Sequence, residues 1–241
     1  MCWKGSPVSR FTFGKKGRRA AALGAAGLGA CAVLAACSPV QAGAAAIVGD
    51  QRITVSLVDS QVSNLQAAVK HYGSTIPSTS PGAEKAQQST TVLSWLIRFN
   101  VMDHLAAEKG ITVSQADGQA ALSSLNAVAQ QDGAPNATVL LIANGVPPQL
   151  FPEFGRWYAQ DMAYSKQVNG GAAATTQAEQ DKINKAQCTA AEPLNIRVSP
   201  QFGRIDFASA SFGVVPAGNT LSAPAGKPSP ASTEGLTAAA C

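Results

Sequence analysis

The sequence is poor in the residue types from which catalytic and metal sites are usually built. It contains only two histidines, His71 and His104. His104 lies four residues before Glu108, so a helix would place both on one face, but no third ligand follows at a recognisable spacing. Beyond residue 36 the chain has no Gly-x-Ser-x-Gly elbow, phosphate-binding loop or Cys-x-x-Cys pair. We therefore predict a protein with no catalytic residues, no bound metal and no cofactor.

Acidic residues are absent from the first 36 positions. Six basic residues fall in the same stretch, at Lys4, Arg10, Lys15, Lys16, Arg18 and Arg19. An uncharged run rich in Ala, Gly, Leu and Val follows. A positive start, a short apolar core and small residues at the end are typical of a secretory signal peptide. We predict that residues 1–36 are removed, and either the general secretory route or the twin-arginine route would suit this pattern.

The end of this stretch predicts a lipidation site at Cys37. Small alanines at positions 35 and 36 let an extended backbone enter a peptidase cleft, and the Cys37 thiol can then carry a diacylglycerol group. Residues 34–37 resemble the bacterial lipoprotein box. A similar box ends at Cys31, but apolar residues follow it, whereas a polar tether over residues 37–43 begins at Cys37. Lipidation at Cys31, a plain secretory signal and an uncleaved anchor are the alternatives.

Without its signal the chain has no excess of positive charge. Removing six of the 18 Lys and Arg residues leaves 12 against 14 Asp and Glu. Nucleic-acid binding needs a cationic footprint, so we expect no nucleic-acid partner. No later apolar run approaches the ~20 residues that cross a bilayer. We therefore expect a soluble domain that a lipid anchors at the extracytoplasmic face of a bacterial cell membrane.

Two cysteines remain after the lipidated one, Cys188 and Cys241. In an oxidising compartment such a pair is a candidate disulfide. A bridge would hold the last residue of the chain against the body of the protein. The alternative is two free thiols.

Hydrophobic periodicity predicts a mainly α fold with a small β-sheet. Two short strands flank a turn at Gly49, and a third is predicted within residues 194–198, where apolar and polar residues alternate. Helices are predicted at about 54–73, 83–109, 114–132, 139–143, 149–169 and 175–186. Because isolated strands leave backbone groups unpaired, we expect the two ends of the domain to pair in one sheet. Residues 208–241, rich in Ala, Ser, Gly and Pro, are predicted to be a disordered tail.

Two segments carry a family resemblance. Residues 45–54, Ala-Ala-Ile-Val-Gly-Asp-Gln-Arg-Ile-Thr, are similar to the A-x-V-N-G-x-x-I-T opening of SurA-type chaperones and the related PrsA foldases. Residues 198–203, Val-Ser-Pro-Gln-Phe-Gly, resemble the V-N-P-R-[FY]-G strand that ends short actinobacterial lipoproteins of this group. The resemblance covers residues 44–207. It implies a helical domain that assists the folding of unfolded, exported polypeptides.

Longer relatives carry a parvulin prolyl-isomerase domain before the closing strand. Here only about thirty residues separate the fifth predicted helix from that strand, and a domain of this kind needs roughly a hundred. We therefore expect no prolyl-isomerase activity and no other enzymatic activity.

The aromatic residues admit two interpretations. Trp95 and Phe99 fit a buried core, as aromatic stripes most often do. Phe151, Phe154 and Trp157 follow a proline-rich turn, and we expect them to line a surface that binds client polypeptides by non-directional apolar burial. The leading hypothesis is a membrane-tethered, non-catalytic chaperone. The rival hypothesis is a structural or scaffolding lipoprotein that binds one specific protein partner.

Overall fold

A computed structural model describes residues 42–172, 174, 176–207 and 213–216. The predicted signal, Cys37 and Cys241 lie outside this part of the chain. The described elements, in chain order, are β1 (Ala44–Val48), β2 (Gln51–Thr54), α1 (Val55–Tyr72), α2 (Lys85–Glu108), α3 (Gln115–Gln131), α4 (Ala137–Ala143), α5 (Phe151–Val168), α6 (Gln177–Ala191), β3 (Arg197–Val198), β4 (Arg204–Asp206) and β5 (Gly213–Val215). Helices thus dominate the described residues and the strands are short, which confirms the predicted fold class.

The small sheet joins the two ends of the domain. Its strand order is β2-β1-β3, and both pairings are antiparallel. Ala46 lies opposite Val198. Gly49 takes a φ of 56° in the turn between β1 and β2, a conformation that glycine adopts without strain. Its N–H donates to the carbonyl of Leu194 at 2.6 Å, so the turn is held from the C-terminal side. The predicted pairing of the two ends is confirmed.

The helix boundaries follow the capping signals in the sequence. The Thr54 hydroxyl accepts a hydrogen bond from the N–H of Leu57 at 3.1 Å, which caps α1. Ser114 and Asp117 form a reciprocal capping box at the start of α3. The largest difference at a helix end is in α6, which continues to Ala191, five residues beyond the predicted end.

Helix α2 is the central element and contacts α1, α5, α6, β1 and β5. Its buried apolar residues are Val92, Leu93, Leu96, Ile97, Phe99, Val101, Met102, Leu105 and Ala106. They surround most of the helix, whereas the sequence predicted one apolar face. Arg98, expected to face water, lies over the Trp95 ring with 4.9 Å from its guanidinium carbon to the ring centroid. Burial lowers the pKa of Arg98 to about 10, so it stays cationic at neutral pH.

Part of the predicted disordered tail is ordered. Strand β5 pairs antiparallel with β4, and Ile205 lies opposite Val214. The Val214 N–H donates to the hydroxyl of Ser94 at 2.8 Å, and the Val214 side chain is buried against α2. The prediction of disorder over residues 208–241 is therefore wrong for residues 213–216. Residues 213–216 form too short a segment to be predicted as a strand from sequence alone. Their order comes from pairing with β4 and from burial of Val214 on α2.

The predicted strand over residues 194–198 is shorter in the structure. Only Arg197 and Val198 are extended, because Leu194 belongs to a 3-10 turn that precedes them. Asn195 ends this turn in the left-handed conformation, with a φ of 44°. This geometry lets the Leu194 carbonyl accept from the β1–β2 turn while β3 runs beside β1.

The loop between α1 and α2 is fixed against α4 by a glycine. The Gly82 N–H donates to the Ala143 carbonyl at 2.9 Å, and its own carbonyl accepts from the buried Gln88 amide at 2.7 Å. A Cβ atom at position 82 would overlap the carbonyl oxygen of Ile142. Only glycine therefore allows this close approach.

We predict that Gly82→Ala lowers the free energy of unfolding by about 3 kcal/mol, because the backbone must move to relieve the overlap. Gly73→Ala is the matched control, since nothing lies within 4 Å of a Cβ placed there. It should leave stability unchanged or slightly higher. Urea titration followed by circular dichroism measures both. Equal stability of the two variants would contradict the packing seen at Gly82.

Candidate functional site

A cluster of aromatic rings joins α2 to α5. The Trp95 ring meets Phe154 at a centroid distance of 5.2 Å and Trp157 at 5.4 Å, both edge-to-face. The Trp95 indole N–H donates to the carbonyl of Asn144 at 3.0 Å, which adds the end of α4 to the cluster. These contacts fix the position of α5, the helix on which the predicted client-binding residues lie.

The three predicted client-binding residues do not share one environment. Phe154 is only 6% exposed and belongs to the main core, so the expectation that it lines a surface is wrong. Phe151 and Trp157 are partly buried and pack against the same core. Phe154 turns inward because one helical face of α5 is directed at Trp95. Phe151, one turn earlier, is at the edge of this contact.

Phe151 lines a groove between the first turns of α3 and α5, which we call the α3–α5 groove. Its lining residues are Val113, Ser114, Gln115, Gly118, Gln119, Leu122, Phe151, Pro152 and Arg156. The groove has a volume of about 440 Å³. Its walls are mainly apolar, and Arg156 is the one charged residue among those that line it. It is therefore suited to an apolar side chain.

Two glycines, Gly118 in the groove lining and Gly155 beside it, let α3 and α5 approach closely. A Cβ atom at Gly155 would lie 2.7 Å from the carbonyl oxygen of Gly118 and 2.8 Å from Cγ of Leu122. Any larger residue at Gly155 would push the helices apart. The sequence patterns gave no weight to either glycine, because the contact joins residues far apart in the chain.

Arg156 is held at the rim of the groove by α2. Its Nη2 donates to Oδ2 of Asp103 at 2.7 Å, and the Gln160 amide donates to Oδ1 of the same carboxylate at 3.0 Å. The Arg156 side chain is about half exposed, so the ion pair adds little stability. Its effect is to orient the guanidinium at the groove.

The groove contains no histidine, cysteine or aspartate that could act as a nucleophile or base. Among the described residues, no group of three or more His, Cys, Asp and Glu side chains could hold a metal ion. Glu108, four residues after His104, forms an ion pair with Lys109 at 2.6 Å. The hydrogen bond and charge of Lys109 lower the pKa of Glu108.

Cys188 is buried on α6 and forms a disulfide. Its Sγ lies 3.8 Å from the carbonyl oxygen of Phe207, and we treat this as a packing contact because a disulfide sulfur has no proton to donate. Its partner is not among the described residues. The pairing of Cys188 with Cys241 stays a prediction, as does lipidation of Cys37.

Large exposed hydrophobic side chains are few in the described part of the chain. The exposed large hydrophobic residues there are Leu57 and Val168, at 38% and 37% exposure. No helix in this part combines the length and apolar character needed to span a bilayer. Comparisons with protein-family models, curated proteins and solved structures found no significant match.

We predict that Phe154→Ala lowers the free energy of unfolding by about 3–5 kcal/mol, since it leaves a cavity among packed rings. Phe151→Ala, at the edge of the core, should lower it by about 1 kcal/mol. Chemical denaturation of the two variants beside the unsubstituted chain measures the difference. An equal loss would mean that Phe151 is as deeply packed as Phe154 and is not available to a client.

Proposed function

We propose that this chain is a membrane-tethered, non-catalytic lipoprotein with chaperone-like activity toward unfolded, exported polypeptides. The proposal is supported chiefly by the pairing of β1 with β3 beside a helical body. This pairing brings together the two segments that carry the resemblance to SurA-type chaperones, residues 45–54 and residues 198–203. Lipidation of Cys37 would place this body at the extracytoplasmic face of a bacterial membrane.

The segment between α5 and β3 supports the non-catalytic part of the proposal. Helix α6 and one 3-10 turn occupy it. A parvulin domain needs roughly a hundred residues, which this segment does not provide. The proposed protein would hold clients without isomerising their prolines.

The α3–α5 groove is the proposed contact site for clients. Burial of one apolar side chain contributes about 1.5–3 kcal/mol, so a single contact would be weak and reversible. Weak, non-directional contacts suit a protein that binds many sequences. A scaffolding lipoprotein would use the same groove for one partner, and the breadth of clients distinguishes the two functions.

We expect the mature protein in detergent to suppress the aggregation of several unrelated, chemically denatured clients, as measured by light scattering. Phe151→Ser should weaken this effect at least about 3-fold, because the groove loses its largest apolar wall. Leu57→Ser is the matched control, since it removes an exposed apolar residue on α1 outside the groove, and should have no effect. No suppression of any client would contradict the proposal. Suppression limited to one client would favour the scaffold.

We also expect Cys37→Ser to abolish incorporation of labelled palmitate and to release the protein from the membrane fraction, because the acyl chains supply the attachment. Cys31→Ser is the control and should retain the label. If Cys31→Ser loses the label and Cys37→Ser retains it, the lipidated residue is Cys31 and the proposed anchor at Cys37 is wrong.

A further inference from the structure

The first three turns of α6 cover apolar side chains that the helical body would otherwise expose. We propose that this segment, residues 177–187, is a lid that lifts from α2 and α5 and uncovers a second apolar surface for clients. The surface consists of Met102, Leu105 and Tyr164. Its role in binding clients rests on the proposed function, whereas the lid movement does not depend on it.

The covered side chains form a separate cluster. Met102, Leu105 and Tyr164 pack with Ile183 and Ala190 of α6, apart from the main core. Removing the lid would therefore open this cluster while the main core stays packed. The uncovered surface would adjoin Trp157, which contacts both clusters.

Few side chains of the lid are buried. Within residues 177–187, Ile183 is the only buried residue among those the structure describes. Gly170 and Gly171, which precede the lid, have φ values of 67° and 103° and no atoms within 4 Å of a Cβ placed on either. The far end is firmly held, because Ala191 is fully buried in the main core. The lid can therefore pivot about the last turn of α6.

A hydrogen bond joins the lid to a partly buried carboxylate on α5. The Gln187 amide donates to Oδ1 of Asp161 on α5 at 2.6 Å. Burial raises the pKa of Asp161 to about 6, although the Gln187 hydrogen bond acts to lower it. The titratable neighbour on the same helix is Tyr158, whose pKa is raised by burial and by the Asp161 charge. No cation of the described residues contributes to the pKa of Asp161.

Ionisation of Asp161 therefore favours lifting. Its pKa in the closed state, about 6, lies above the ordinary value of 3.8. The contribution of Asp161 to closure is complete below pH 3.8 and is lost as the pH rises through 6. Lifting returns the carboxylate to water and relieves the cost of desolvation. The lid should thus be more open at pH 7 than at pH 5.

Hydrogen exchange on the full mature chain, without reductant so that the Cys188 disulfide stays intact, tests this movement. A lifted helix of eleven residues is marginal in water, so its amides exchange. We expect protection of the Ile183 amide, corrected for intrinsic rates, to fall about 10-fold between pH 5 and pH 7, with Ile97 in α2 unchanged. Asp161→Asn keeps an acceptor for Gln187, and should raise Ile183 protection up to about 100-fold at pH 7.

Two further variants complete the experiment. Ile183→Ala removes the apolar anchor and should lower protection of the lid amides at least about 10-fold, while Ile97 stays protected. Asp59→Asn changes an exposed carboxylate on α1 and should have no effect. The lid proposal fails if the Ile183 amide exchanges no faster than the Ile97 amide. It also fails if Ile183 is equally protected in Asp161→Asn and in the unsubstituted chain.

Client assays then decide what the lid covers. The unsubstituted chain should suppress aggregation better at pH 7 than at pH 5, and Asp161→Asn should lose this gain. If Asp161→Asn closes the lid but suppresses aggregation as well as the unsubstituted chain does, clients do not bind the surface beneath the lid. The proposal that they bind the α3–α5 groove would still stand. If no variant suppresses aggregation at either pH, the proposed function fails, and the exchange result still decides the lid.

Discussion

Strand β1 lies between β2 and β3, and each of its five residues is buried. A strand in this position must pair its backbone groups, since water cannot reach them. The pairing on one side comes from the adjacent hairpin, but the other side comes from Val198, more than 150 residues later. The helices between them are therefore enclosed by a contact that forms only when the last part of the domain is present. Such distant pairings carry a large entropic cost of loop closure, which the buried core must offset.

Local chemistry made the helices predictable. Thr54, Ser114 and the glycines that follow the first five helices carry capping information that does not depend on the rest of the fold. The expected pairing of the two ends followed from one requirement, that isolated strands need partners. The ordered part of the tail could not be predicted in this way. Residues 213–215 have little intrinsic signal, and their order depends on β4 and on the Ser94 hydroxyl of a distant helix.

The difference between local signals and contacts with distant residues also explains why the candidate site was only partly predicted. The aromatic residues of α5 are recognisable from the sequence, but which of them turn inward is not, because that depends on the position of Trp95 in another helix. Phe154 was expected on a surface and is buried in the structure. The groove itself depends on the contact between Gly118 and Gly155. Glycine at a crossing of two helices has no periodic pattern that a single sequence would reveal.

The two apolar surfaces differ in how they are kept from water. The α3–α5 groove is narrow, and its walls are fixed by a close glycine contact and by the bond between Arg156 and Asp103. The apolar cluster beneath α6 would be a liability if permanently exposed. The proposed cover, held by Ile183 and by the hydrogen bond from Gln187 to the partly buried Asp161, keeps that surface hidden while leaving the free energy of uncovering it small.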